Sequence, residues 1–412
     1  MLFRYLLGQM IREGALVYED PRGRRHSFGD GSPPVAHIKV RKASLEWTVA
    51  LDPALKIGEA FMEGDFSVEQ GTLEDVVVLI ARNHRYLERH WLVRFFTFLS
   101  RRGRWLKQHN PIHLARKNVA HHYDLSGRLY DLFLDRDRQY SCAYFTHAHD
   151  DIEQAQVDKK RHLAAKLRLD EGAKTILDIG SGWGGLGLYL AQVSGANVTG
   201  VTLSEEQHKL SRQRAQEAGL AARVDFRLQD YRTLDGRFDR IVSVGMFEHV
   251  GKRNYREFFR KLHSLLEDDG VAVLHTIARF NEPGPIHPFI RKYIFPGADV
   301  PTLSEMMPEI EQSGLLVTDI EVLRLHYAET LRLWRKRFSE NRKAIAELYD
   351  ERFCRMWEAY LVGCEMGFRY QGLMNVQIQM VRDQNALPMT RDYMVDWERR
   401  QEAKERRPQA AE

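Results

Sequence analysis

Five glycines punctuate the run ILDIGSGWGGLGLYLA, among them Gly180, Gly182 and Gly185. Glycines so placed let the main chain turn sharply and let a ligand come close to it, which suits a nucleotide seated at the start of a helix. The same three also satisfy the dinucleotide motif to the letter. Further along, Glu248 follows a strand-like run and His275 lies near the end of another, where doubly wound folds keep their sites. Both can move protons. Each also has a plainer reading: Glu248-His249 as ordinary polarity at a helix entry, His275 as a satisfied core histidine. Cys142 taken alone reads as a small buried hydrophobe.

Two features bear on which nucleotide is bound. Asp178 stands two residues before the first glycine, a placement common in methyltransferases, where the acid orients the amino-acid end of S-adenosylmethionine. A nicotinamide site instead wants an acid at the tip of the second strand. That tip reads Gly200-Val201-Thr202-Leu203-Ser204, with no carboxylate before Glu205. Its hydroxyls and Gln207 can serve a ribose, yet most methyltransferases also carry an acid there, so the tip by itself leaves NAD in play. His121 and His122 do not form a metal pair, because adjacent side chains diverge and no partners follow at ligand spacing; no metal site is expected.

The elements that must position these residues read as alternating strands and helices from Thr175 onward. Strand-like runs are Thr175–Ile179, Ala196–Leu203, Val224–Leu228, Phe238–Val244, Val271–Ile277 and Leu315–Leu323, with helical patterns between them such as Glu205–Ala218 and Asn254–Leu266. This is the signature of an α/β fold with a doubly wound, mostly parallel sheet. Two long helical patterns follow, about Thr330–Tyr349 and Glu351–Tyr370, then a strand-like Met374–Met380. Residues 1–105 mix strand-like pieces (Ala36–Val40, Leu45–Val49) with a helical pattern from Leu73 to Phe98, and so suggest a smaller α+β domain. The expected division is 1–105, a linker at 106–116, a catalytic domain at 117–390 and a charged, fraying tail at 391–412.

The chain has 412 residues, a net charge of +4 and three cysteines. Three cysteines make no disulfide framework and fit a reducing compartment. The N-terminus lacks a signal-peptide pattern, and no run is apolar and long enough to span a bilayer. A cytoplasmic protein is expected. The charge is concentrated: residues 76–110 hold eight basic residues against one acidic, Glu88, interleaved with Trp91, Phe95, Phe96, Phe98 and Trp105. That mixture suits an anionic lipid surface, although a helix that buries its aromatics and solvates its arginines would read the same. No nucleic-acid motif accompanies the charge.

Several segments together resemble the cyclopropane-fatty-acyl-phospholipid synthase family, which includes the mycolic acid cyclopropane synthases. They are HHYDLSGRLYDLFLD (121–135), YSCAYF (140–145), LDIGSGWGG (177–185), GVTLSEEQ (200–207), LQDYR (228–232), DRIVSVGMFEHVG (239–251), the Val273-Leu274-His275-Thr276-Ile277 run and KYIFPG (292–297). They keep the family's order across about 115–380. Ser181 departs from the cysteine of many relatives and is similar in size.

The resemblance implies a Rossmann-like class I methyltransferase with helical insertions. It also implies the reaction: an acyl-chain double bond in a membrane phospholipid takes the methyl of S-adenosylmethionine, a proton leaves that carbon and a three-membered ring closes. The same cation can instead undergo a hydride shift and give a methyl-branched chain; a catalytically inactive lipid-surface protein is the rival of another class. For the cofactor, the matching positions are Tyr140 and Ser141 near the methionine carboxylate, Gly180 and Gly182 at the turn, Thr202, Leu203 and Gln207 at the ribose, and Asp230 and Tyr231 near the adenine. For proton removal by bound bicarbonate, they are Cys142, Glu248, His275, Ile277 (backbone) and Tyr327. Cys364 matches a cysteine treated as an active-site residue in the family, yet this chemistry needs no covalent nucleophile. The helices after Thr330, with Phe338, Phe353, Met356, Trp357, Tyr360 and Phe368, are candidates for an acyl-chain groove or simply core. The resemblance further implies a homodimer whose N-terminal domain meets lipid at the inner membrane surface.

Overall fold

The computed structural model describes residues 2–88, 126–147, 149–169 and 172–406. The expected linker at 106–116, His121, His122 and most of the basic aromatic segment (89–110) lie outside them. The chain divides into two compact units.

The first unit holds residues 1–107 together with 284–296 and 331–373. Its sheet has the order β2-β1-β3-β4, with β1 Ala15–Glu19, β2 Arg25–Gly29, β3 Val35–Val40 and β4 Phe66–Gln70. Leu7, Ile11, Tyr18, Ile38 and Leu79 form its core. Leu45–Val49, expected as a strand, is helical within Ala43–Leu51. Leu45 and Val49 recur at the i, i+4 spacing of one helix face, and Val49 is buried while Trp47 between them is exposed.

The expected division placed 284–296 and 331–373 with the catalytic residues, but their side chains pair with the N-terminal residues. Lys292 Nζ lies 2.6 Å from Glu59 Oε1 and Arg352 Nη2 lies 2.7 Å from Glu63 Oε1. Gly58 packs so closely on the Phe289 ring that a Cβ there would stand 2.6 Å from it. Phe338, Trp357, Tyr360 and Phe368 are buried core residues; Phe353 and Met356 are half-buried.

The second unit holds 108–283, 297–330 and 374–412. Its seven strands are β5 Thr175–Ile179, β6 Asn197–Thr202, β7 Val224–Leu228, β8 Phe238–Val244, β9 Leu266–Arg279, β10 Leu316–Val322 and β11 Leu373–Val381. They lie in the order β10-β11-β9-β8-β5-β6-β7. Strands β7, β6, β5, β8 and β9 are mutually parallel; β10 runs antiparallel to β11. The chain builds outward from β5 to β7, then returns to β8 on the other side of β5. That reversal opens a crevice beyond the C-terminal ends of β5 and β8.

Strand β5 is buried on both faces, as a parallel strand covered by crossover helices must be. The charged end does not fray through Glu405. Asp392–Glu405 is a helix whose Met394 and Trp397 enter the core, and Glu405 accepts from Arg161 Nη2 at 2.7 Å and from the Tyr189 hydroxyl at 2.7 Å. Met394 and Trp397 anchor the helix, a signal that the charge density of the sequence obscures.

Candidate active site

The glycine turn runs from the end of β5 into the helix Gly185–Ser194. Gly180 has φ +85°, and a Cβ there would stand 2.8 Å from Met246 Cβ. Gly182 has φ +54° and nothing within 4 Å of where a Cβ would be. The first glycine is required by packing and the second leaves a cradle open to a ligand.

Around this turn lies one cleft of the second unit. Tyr140, Ser141, Asp178, Gly180, Gly182, Thr202, Leu203, Gln207, Asp230 and Tyr231 all line it. At the β6 tip, Thr202 Oγ1 donates to Gln207 Oε1 at 2.7 Å, and Ser204 caps the following helix by accepting from Gln207 N. After β7, the Asp230 carboxylate is held by Arg232, with Nη2 2.7 Å from Oδ2. At the β5 end, Asp178 is buried and its Oδ2 has no hydrogen-bond partner among the described residues. Burial pushes its carboxyl up to about 7, against the pull of Lys159. An orphaned acid beside an open glycine cradle fits the ammonium group of an amino acid.

The segment that carries Tyr140, Ser141 and Cys142 is pinned from behind by the helix Ile152–Lys166. Gln156 Nε2 donates to the carbonyls of Gln139 (3.1 Å) and Ser141 (3.0 Å). Lys159 Nζ reaches Gln139 Oε1 at 2.6 Å and Ser141 Oγ at 2.8 Å. On the other side, Ala143 N donates to Thr330 Oγ1 and Phe145 N to His326 Nδ1, each at 3.0 Å. These two bonds fasten the segment to the first turn of the helix that carries Tyr327. Cys142 is fully buried, and burial drives its thiol far above the usual range. It is therefore not a thiolate nucleophile.

Glu248 and His275 come together through neighbouring strands. Val244 of β8 pairs with His275 of β9, and Gly245 N donates to the His275 carbonyl at 2.9 Å. Glu248 sits one short 3-10 turn later, and its Oε1 accepts from Ile277 N at 2.6 Å. His275 and Ile277 are two apart on one strand and face the same side. Both Glu248 and His275 are buried. Burial raises the Glu248 carboxyl and holds His275 well below its usual value, so the imidazole is neutral at pH 7.

Two buried atoms in this pair lack hydrogen-bond partners among the described residues, Glu248 Oε2 and His275 Nε2. The other imidazole nitrogen is engaged: Gln377 Nε2 of β11 lies 3.1 Å from His275 Nδ1. With the amide nitrogen donating, Nδ1 accepts and the proton rests on Nε2. The site thus offers a carboxylate oxygen that accepts and an N–H that donates.

Cys142, Glu248, His275, Ile277 and Tyr327 all belong to the second unit, whereas Cys364 belongs to the first, on the helix Glu351–Tyr370. Burial pushes the Cys364 thiol up to about 12. Sequence reading missed Gln139, Trp183, Met246 and His249, which also line the cleft, as well as Lys159 and Gln377 behind it. Gln139 is adjacent to a named motif. Lys159 and Gln377 carry no local signal, because their contacts are made across 18 or more positions.

A family model described as mycolic acid cyclopropane synthetase matches residues 112–378. A "Probable fatty acid methyltransferase" of Pseudomonas putida is 37% identical over 90% of this chain and 94% of its own. The cyclopropane-fatty-acyl-phospholipid synthase of Escherichia coli K12 is 35% identical over 88% of this chain and 92% of its own. Among solved structures, mycolic acid cyclopropane synthase CmaA1 complexed with SAH and CTAB superposes with TM-score 0.62 and 33% identity, covering 66% of this chain and 99% of that one.

Proposed function

This chain belongs to the mycolic acid cyclopropane synthetase family of S-adenosylmethionine-dependent methyltransferases, and from that premise we propose that it builds a cyclopropane ring on the double bond of an unsaturated phospholipid acyl chain. The observation that carries the proposal is the buried Glu248–His275 pair with its two unpartnered atoms, set beside a cleft that suits the cofactor. An alkene needs no enzyme nucleophile to attack an activated methyl. What it needs is alignment, exclusion of water from the cation that forms, and a route out for one proton.

Within the cleft, Asp178 and Ser141 take the amino-acid end of S-adenosylmethionine, Thr202 and Gln207 the ribose, and Asp230 and Tyr231 the adenine side. This order follows the strands, from β5 through β6 to β7. The unpartnered atoms fit bicarbonate. Glu248 Oε2 would accept from its hydroxyl and His275 Nε2–H would donate to an oxygen, with Tyr327 and the Cys142 segment around it; the Ile277 amide, which donates to Glu248 Oε1, holds the carboxylate in place. Bound there, bicarbonate would supply the base for the proton lost from the transferred methyl carbon. Glu248, whose carboxyl is raised by burial, is suited to receive a proton at Oε2 and pass it on.

We further propose that the protein works as a homodimer in the cytoplasm, at the inner membrane surface. Support comes from the basic, aromatic segment 76–110 and from the lipid substrate itself. No described helix is long and apolar enough to cross a membrane. Co-sedimentation with anionic vesicles, and its loss at high salt, tests the surface contact.

A second reading has an observation in its favour: the Pseudomonas putida relative is named a fatty acid methyltransferase. There, a hydride shift would precede proton loss, and the product would be a branched acyl chain that keeps one carbon–carbon double bond, a saturated methyl branch needing a further two-electron reduction. Incubation with unsaturated phospholipid vesicles and labelled S-adenosylmethionine, followed by acyl-chain analysis, tests both readings. Label in a ring supports the first, label in a branch supports the second, and an unlabelled acyl chain rejects both.

A further inference from the structure

Lys159 is a fully buried ammonium in the middle of the helix Ile152–Lys166. Among the described residues it forms no ion pair. Its hydrogen-bond partners are two neutral oxygens, Gln139 Oε1 and Ser141 Oγ. A lysine has three N–H donors, and burying its charge without a bonded anion is costly. Asp135 and Asp137 act on it at longer range, with Lys160 opposing them. Asp137 is already engaged by Lys160 at 2.6 Å and by Arg214.

The directions of the two bonds matter. Ser141 Oγ accepts from Lys159, so its own hydroxyl hydrogen remains free to donate, and Ser141 lines the cleft. Gln139 Oε1 accepts from Lys159 while its Nε2 donates to Asp137 Oδ2 at 3.1 Å, which fixes the amide's orientation. A buried cation therefore stands one side chain behind the cleft, with the Ser141 hydroxyl between it and the ligand space.

We propose that Lys159 is the counter-charge for the cofactor's carboxylate, acting through Ser141: its ammonium orients the Ser141 hydroxyl to donate to the carboxylate and supplies the positive field there. It is a positioning residue, since it does not itself line the cleft. The inference rests on the assignment of the amino-acid end of the cofactor to Ser141.

Calorimetry with two ligands tests it. S-adenosylhomocysteine carries the amino-acid end and 5′-methylthioadenosine lacks it. Lys159→Met, a near-isosteric change that removes a buried charge, is expected to weaken S-adenosylhomocysteine at least tenfold, with less than a twofold change for 5′-methylthioadenosine. Equal weakening of both ligands, the signature of a merely structural lysine, overturns the proposal, as does no weakening of either. Ser141→Ala, which leaves Lys159 in place, keeps the test open should the lysine variant not fold. It is expected to lose S-adenosylhomocysteine selectively, and unchanged affinity contradicts the proposal. If the unaltered protein binds the two ligands equally well, the assignment of the amino-acid end has failed and the proposal falls with it.

Discussion

The Ile277 amide donates to Glu248 Oε1 at 2.6 Å, so the backbone of one strand fixes the carboxylate that follows its neighbour. Oε1 is committed to structure, and Oε2 is left for chemistry. Glu248→Gln keeps an oxygen that can accept from Ile277, and it removes the carboxylate. Turnover should fall by about 10²–10⁴-fold, the usual range for loss of a proton-transfer group. Affinity for S-adenosylhomocysteine and the melting temperature should change little. Turnover within tenfold of the unaltered protein would remove Glu248 from the proton route.

Gln377 sets the tautomer of His275 through its 3.1 Å contact with Nδ1. In Gln377→Glu, a carboxylate faces that nitrogen and accepts from it, which moves the proton away from Nε2. A neighbouring negative charge also stabilises the imidazolium, by about 1–3 pKa units. His275 is held low by burial, so the shift is upward, and the acidic limb of the kcat–pH profile should move to higher pH. An unmoved limb with unchanged kcat would leave Gln377 with packing alone.

Asp178 gives a pH dependence in the protein without ligand. Its carboxyl is raised to about 7 by burial, above the value of about 3.9 expected of an unfolded chain. Between these values the unfolded chain releases a proton that the folded protein keeps. Stability from this group is therefore full below about pH 4 and is lost as pH rises through about 7. Ligand binding should run the other way. The cofactor's ammonium favours the carboxylate, so affinity for S-adenosylhomocysteine should weaken as pH falls below 7, approaching tenfold per unit. Asp178→Asn should flatten both dependences; a slope that survives in that variant assigns it to another group.

Cys364 has a thiol pushed up to about 12 by burial, and the proposed chemistry has no covalent step. Cys364→Ser should retain most activity. Loss of turnover with the fold and S-adenosylhomocysteine binding intact would give this cysteine a role that its environment does not explain.

Much of the second unit was legible because its strands are short, apolar and regularly spaced. Thr175–Ile179, Val224–Leu228 and Phe238–Val244 match β5, β7 and β8 to the residue. The glycine turn and Asp178 were legible because their spacing is local. Elsewhere the determinants are tertiary. Leu45–Val49 alternates apolar and polar residues in a way that serves a strand or a helix, and only burial of Val49 with exposure of Trp47 decides for the helix. Residues 331–373 follow the catalytic strands in sequence but join the N-terminal unit, through contacts such as that of Arg335 Nη2 with Glu74 at 2.6 Å. Lys159 and Gln377 escaped because a buried lysine and a buried glutamine look like surface residues until the strands and helices around them are assembled.

The most direct test of ring formation uses S-adenosylmethionine with a fully deuterated methyl group and vesicles of unsaturated phospholipid. Mass spectrometry and proton NMR then follow the acyl chain. The proposed chemistry predicts ring protons far upfield and retention of two of the three deuterons, the third having left by the Glu248 route. A methyl carrying all three deuterons, or acyl chains that carry no label while S-adenosylhomocysteine still binds, would contradict it.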